Sequence, residues 1–305
     1  MNLKSKLVII ISLFFAACFS KEDPIEPKLR LNQSVELDAG ESRTEINFYS
    51  LERDELVGKA NPEDWDLYIT PSKIQINYFR SIRVAPFAKE WHNQLDTVGL
   101  AFSYLTDKNP NRMWEIDLDS TYVLDMGFDS EFKPMGIIKL KVSKVGSDYK
   151  IQYGPIESAF ELVETVSGTD FYYHINDKVK ADVPTESEYD VAFGKYTEFV
   201  VIGEEEADYL VLGALLGSAS AIPTTIPFDE ITTLDIDTAS FNKNKKNAIG
   251  WDWKAYSLDK GAYEIDQDKS YLIKTDAGFK YKLRFVNFYN NKGVSGHPTF
   301  EYKLL

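Results

Sequence analysis

Few side chains in this sequence could do chemistry, and they are scattered. One cysteine (Cys18), three histidines (His92, His174, His297) and four methionines are spread over 305 residues. No histidine pair has the H-E-x-x-H spacing that seats a catalytic zinc. No G-x-S-x-G nucleophile elbow occurs. The stretch GALLGSAS, Gly213 to Ser220, has neither the spacing nor the lysine of a phosphate loop. Asp117 and Asp119 are two apart, as are Asp235 and Asp237, so on a strand each pair would share a face. One such pair offers calcium too few oxygens. Alternation reads these acids instead as solvent-facing residues between apolar inward ones. Cys18 has no histidine or acidic partner by its context, so a thiol nucleophile is not indicated. The residues argue against an enzyme, and a carbohydrate-active hydrolase is the weakest reading.

The surroundings of Cys18 point to an anchor. Lys4 and Lys6 are followed by the apolar run Leu7 to Ala17, broken only by Ser12. A bilayer needs roughly 20 apolar residues, so this run is too short to span one. A charged start, a short apolar core and small residues at its end read as a signal peptide over residues 1–17. Ala16 and Ala17 before Cys18 resemble a bacterial lipobox, with Phe15 where leucine is usual. Cys18 would then carry the lipid that holds the protein in the outer membrane, since two or more acyl chains anchor stably. Lys21, Glu22 and Asp23 resemble the lysine-plus-two-acids export tag of surface lipoproteins in the Bacteroidota, which implies a location facing the cell exterior. Residues 18–40, polar with Pro24 and Pro27, read as a lipidated tether.

The elements that would position a site are strands. TEINFYSL (Thr44 to Leu51), KIQINYF (Lys73 to Phe79), IIKLKVSKV (Ile137 to Val145), DYKIQY (Asp148 to Tyr153), TEFVVI (Thr197 to Ile202) and KYKLRFVNFY (Lys280 to Tyr289) alternate or are rich in β-branched and aromatic residues. The best helix candidate is short, Ser158 to Val166. The fold class is therefore mainly β, with antiparallel strands. The formal charge is −14, which disfavours nucleic acid and anionic membrane surfaces as partners. Three segment pairs recur in order: Phe48 to Ile69 with Phe171 to Phe193, Ile116 to Tyr122 with Leu234 to Phe241, and Ile137 to Tyr153 with Tyr271 to Phe285. They suggest two similar β halves, 41–160 and 165–305.

The C-terminal half resembles a known family. YDVAF (Tyr189 to Phe193), the hairpin YLIKTDAGFKYKLRF (Tyr271 to Phe285) and the closing FEY strand resemble the HmuY-like surface lipoproteins, well over 165–305 and weakly before it. Gly278 suits the hairpin turn, which puts Tyr281, Leu283 and Phe285 on one face and Lys282 and Arg284 on the other. The resemblance implies a β-rich protein that captures haem between finger-like strands for a TonB-dependent outer-membrane transporter, with His or Met as axial iron ligands. Here the sequence departs from the family, because no His or Met lies between Tyr189 and Trp251. The uncharged stretch Tyr209 to Phe228 has two readings. One is a buried strand and a Pro-bounded turn. The other is an apolar flap that lines a ligand pocket with Tyr209, Leu210, Leu212, Leu215, Leu216, Ile222 and Phe228. His92 beside Trp91 and Met113 beside Trp114 are candidate haem ligands in the first half, although Met beside aromatics also suits core packing. His174 and His297 read as structural. Capture of haem or another planar hydrophobic ligand is thus the leading expectation. A structural or partner-binding surface protein is the alternative.

Overall fold

The computed structural model describes residues 32–305 apart from 41, 88–90, 92–96, 106–111, 113, 158–160 and 203. Every strand pairing it describes is antiparallel, in four sheets of four or five strands and one separate hairpin. One five-stranded sheet runs Gln33–Glu36, Ser295–Leu304, Lys280–Tyr289, Ser270–Lys274, Ser220–Thr224 in spatial order. A second runs Leu162–Val166, Asp148–Pro155, Ile137–Val145, Thr121–Asp125, Arg83–Pro86. The expected hairpin around Gly278 forms with the expected faces. Gly278 takes φ +87°, a conformation that costs glycine little. Tyr281, Leu283 and Phe285 enter the core. Lys282 and Arg284 sit over the ring of Phe228 on the other side, at 4.7 and 4.6 Å.

A long hairpin divides two cores. Val191–Ile202 pairs with Glu205–Leu216 in unbroken register, and the inner end also pairs with Ile46–Ser50. Successive side chains alternate between faces. Phe48, Ala192, Tyr196 and Leu215 join one core. Tyr49, Val191, Phe193, Ala214 and Leu216 join the other. A strand buried on both faces needs no polar residues, which explains the near-continuous apolar character of the inner hairpin.

The matched segments interleave. Phe48 to Ile69 and Phe171 to Phe193 cross-pair, with Phe48 opposite Ala192 and Tyr68 opposite Tyr172. Two buried aspartates close the crossings. Asp190 accepts the Leu51 amide at 2.8 Å, and Asp66 accepts the Ile175 amide at 2.7 Å. Asp66 also pairs with the fully buried guanidinium of Arg80. Sheets therefore run across the 160–165 boundary. The two hairpins matched by sequence, Ile137 to Tyr153 and Tyr271 to Phe285, lie inside the two different five-stranded sheets.

Two local expectations need correction. Leu162–Val166 is an edge strand paired with Tyr149 to Tyr153 and not part of a helix; Leu162, Glu164 and Val166 turn inward with period two. Neither acidic pair lies on a strand. Asp117 lies in irregular backbone, bound to Arg112 at 2.5 Å, with Asp119 in the turn that follows, and Asp235 caps the short helix Thr233–Asp237 through Thr232.

Candidate functional site

The site begins where the second core runs out along the long hairpin. Residues directly opposite each other across an antiparallel pair share a face. Phe193 with Ala214 is buried; outward on the same face come Lys195 with Leu212, then Thr197 with Leu210. Facing this part is the separate hairpin, Lys254–Ser257 with Ala262–Ile265. Tyr256 and Tyr263 stand opposite one another on it, in edge contact at 5.2 Å. Tyr263 leans on Phe288 at 5.0 Å, and its amide donates to the Tyr289 hydroxyl at 2.5 Å. Between the two hairpins lies a cavity of about 380 Å³, whose wall includes Leu210, Leu212, Trp251, Tyr256, Tyr263 and Phe288. That size falls within the usual range for small-molecule sites, roughly 300–1,000 Å³.

A second cavity of about 250 Å³ shares Lys195 and Leu210 as lining residues. Its remaining wall includes Phe79, Phe128 and Phe132. Phe128 and Phe132 are 48% and 57% exposed, and Tyr256 in the first cavity is 52% exposed. A run of half-exposed aromatic rings along one cleft is the surface that binding sites present to an apolar partner.

Cations sit among these rings. Lys254 is 6% exposed; its ammonium donates to the carbonyls of Leu212 at 2.5 Å and Trp251 at 3.3 Å and lies over Trp253 at 4.2 Å and Phe288 at 4.9 Å. Burial pushes its pKa down to about 7. Lys195 donates to the Ser42 carbonyl at 3.1 Å and covers the Phe132 ring at 5.1 Å. Burial, then the nearby Arg43 charge, lowers its pKa as well.

The structure divides the expected flap. Leu210 and Leu212 line the cavity. Tyr209 is exposed on the opposite face of the strand, beside Glu198. Leu215, Leu216 and Phe228 are buried core residues, at 1%, 2% and 3% exposure, and Ile222 is half-buried opposite Leu272 on a sheet edge. The inner half of the stretch is thus the buried-strand reading. A charge at Leu215 would strike the core, so Leu215→Asp would unfold the protein instead of probing a pocket wall. The glycines of GALLGSAS have a packing cause. A Cβ on Gly213 would come within 2.5 Å of the Gly250 carbonyl oxygen, and one on Gly217 within 2.3 Å of the Tyr189 carbonyl oxygen.

His92 and Met113 lie outside the described residues, as do Cys18, Lys21, Glu22 and Asp23. Their neighbours Trp91 and Trp114 are buried. His174 accepts the Asp177 amide at 3.2 Å, and His297 contacts Asp38 at 3.4 Å and Asn290 at 3.1 Å, so both make local structural contacts, and neither lines the two cavities. Among the described residues no cluster of His, Cys, Asp and Glu could hold a metal ion. Sequence reading missed Arg43, Lys195, Trp251, Lys254, Tyr256 and Tyr263. The run WKAYSLDKGAYEI, Trp253 to Ile265, did carry a signal: Asp259-Lys260-Gly261 is turn chemistry between two short alternating strands.

These features define an antiparallel β protein with an aromatic cleft between two hairpins. The chain belongs to the HmuY protein family, whose model matches residues 42–302. No curated protein matches it. Solved structures similar to it include an apo HmuY analog from Tannerella forsythia, with 10% identity, 92% of this chain and 98% of that one covered, and a TM-score of 0.38. Apo PinO from Porphyromonas gingivitis matches with 8% identity, 90% and 97% coverage and a TM-score of 0.37.

Proposed function

We propose that this protein captures a planar apolar molecule of the haem class in the cleft between its long hairpin and the Lys254–Ile265 hairpin. The observation that carries this reading is the row of half-exposed aromatic rings lining two adjoining cavities. Family membership supports it. The described lining offers a porphyrin plane several rings but no imidazole or thioether for iron. Affinity then comes from covering apolar wall, about 2.5 kcal/mol for each 100 Å² before association costs. Cys18 holds the protein in the outer membrane, and the Lys21-Glu22-Asp23 tag sends it to the exterior, where a TonB-dependent transporter receives the cargo.

Titration with haemin and with iron-free protoporphyrin tests the reading. Both should bind with similar affinity, Tyr256→Ala should weaken both, and His92→Ala should change little. A Soret shift lost in His92→Ala would replace stacking by iron ligation. Absence of binding by either porphyrin to folded protein, at tens of micromolar, would overturn capture and leave the partner-binding reading.

A further inference from the structure

The larger cavity carries a charge pattern at odds with the rest of the chain. Acids outnumber bases 48 to 34 in the sequence. Yet three of the eleven residues lining this cavity are cations, Arg43, Lys195 and Lys254, and none is an acid. None of the three forms an ion pair among the described residues. An ammonium has three donors. Lys195 uses one on Ser42, and Lys254 uses two on Leu212 and Trp251. Donors therefore remain on both, and the guanidinium of Arg43 adds its own fork. The carboxylate that acts on Lys254, Asp252, is held by Lys269 at 2.6 Å. Cations held only by carbonyls and ring faces in a partly buried cleft gain from an arriving anion.

Accepting the cleft as the ligand seat, we infer that Arg43, Lys195 and Lys254 receive the acid group of the ligand, so that the protein selects planar apolar molecules bearing carboxylates. The aromatic walls hold the flat body, while the cations fix its orientation and reject neutral analogues. Charge-assisted hydrogen bonds in such a site are stronger than neutral ones and give direction as well as affinity.

Protoporphyrin IX and its dimethyl ester share one ring system, and the ester caps both carboxylates as neutral methyl esters. Followed by quenching of tryptophan fluorescence, the free acid should bind wild type roughly tenfold or more tightly than the ester, as a few charge-assisted bonds would give. The preference should vanish in Arg43→Gln/Lys195→Met and survive in Arg43→Lys/Lys195→Arg. Should the first variant not fold, salt decides on wild type: added sodium chloride should weaken the acid and spare the ester. Equal affinity of acid and ester, at low and high salt, would overturn the anion site and leave capture standing. If neither porphyrin binds, capture itself falls. The dyes 8-anilinonaphthalene-1-sulfonate and N-phenyl-1-naphthylamine, one anionic and one neutral, then decide the anion site alone. A preference for the sulfonate that the first variant abolishes supports it, and equal binding, or a preference the variant keeps, overturns it.

Discussion

Lys254 sets a pH signature at the residue scale. Its folded pKa, about 7, lies well below the 10.5 of the unfolded chain, because burial disfavours its charge. Between these values the unfolded state binds the extra proton. Stability contributed by this site therefore rises as pH increases from about 7 towards 10. The buried tyrosines add nothing in that window, since their raised pKa values act only above the ordinary value near 10. Thermal melts at pH 7 and pH 9 should show a smaller rise for Lys254→Met than for wild type. Equal rises would mean that the amine is not desolvated. A carboxylate ligand should also blunt the effect, because an anion beside the ammonium favours its charged form.

Elements meet closely at the base of the cleft. The strand Glu205–Leu216 passes against the Gly250–Trp251 backbone, with Ala214 and Gly250 exchanging amide hydrogen bonds at 2.9 and 3.0 Å. Gly213 permits this approach, because any side chain there would strike the Gly250 carbonyl and the Trp251 backbone. Gly213→Val should cost about 1–3 kcal/mol, the usual range for overpacking. It should weaken porphyrin binding as well, because Trp251 and Leu212 line the cavity from the two sides of that contact. Urea unfolding and a porphyrin titration on the same sample check both parts. An unchanged midpoint would show that the two backbones can separate freely.

Two crossings tie the whole molecule together, and the Asp66–Arg80 pair lies at one of them. The Arg80 side chain has no exposure, and its Nε and Nη1 have no hydrogen-bond partner. Removing its counter-charge strands a buried cation, which costs roughly 3–5 kcal/mol. Asp66→Asn should therefore lower the unfolding free energy by that amount, read in a single urea transition, since the sheets run across both halves. Two separated transitions would show halves that unfold independently. The anchor belongs to this scale too. Cys18→Ala should abolish palmitate labelling and release the protein from membranes, and retained labelling would remove the lipid-anchor assignment. Alanine at Lys21, Glu22 and Asp23 should protect the protein from protease added to intact cells, whereas equal digestion of wild type and variant would argue against an export tag.

The amino-acid order made the strands legible, because alternation and turn chemistry are local. The hairpin around Gly278, with Tyr281, Leu283 and Phe285 inward, follows from three kinds of residue at fixed spacing. It also carried enough of the family pattern for that resemblance to be read, although Leu162–Val166 shows that a short apolar run does not distinguish helix from edge strand. Which apolar residues face a cavity depends on packing between distant segments. A strand buried on both faces and a flap lining a pocket have the same uncharged composition, so Leu210 and Leu215 look alike in sequence. Only packing separates them: Leu215 enters a core, while Leu210 lines both cavities. The cationic cleft was hidden for a related reason. More than two hundred residues separate Arg43 from Lys254, and no local pattern records that pairing across the long hairpin brings them to one wall.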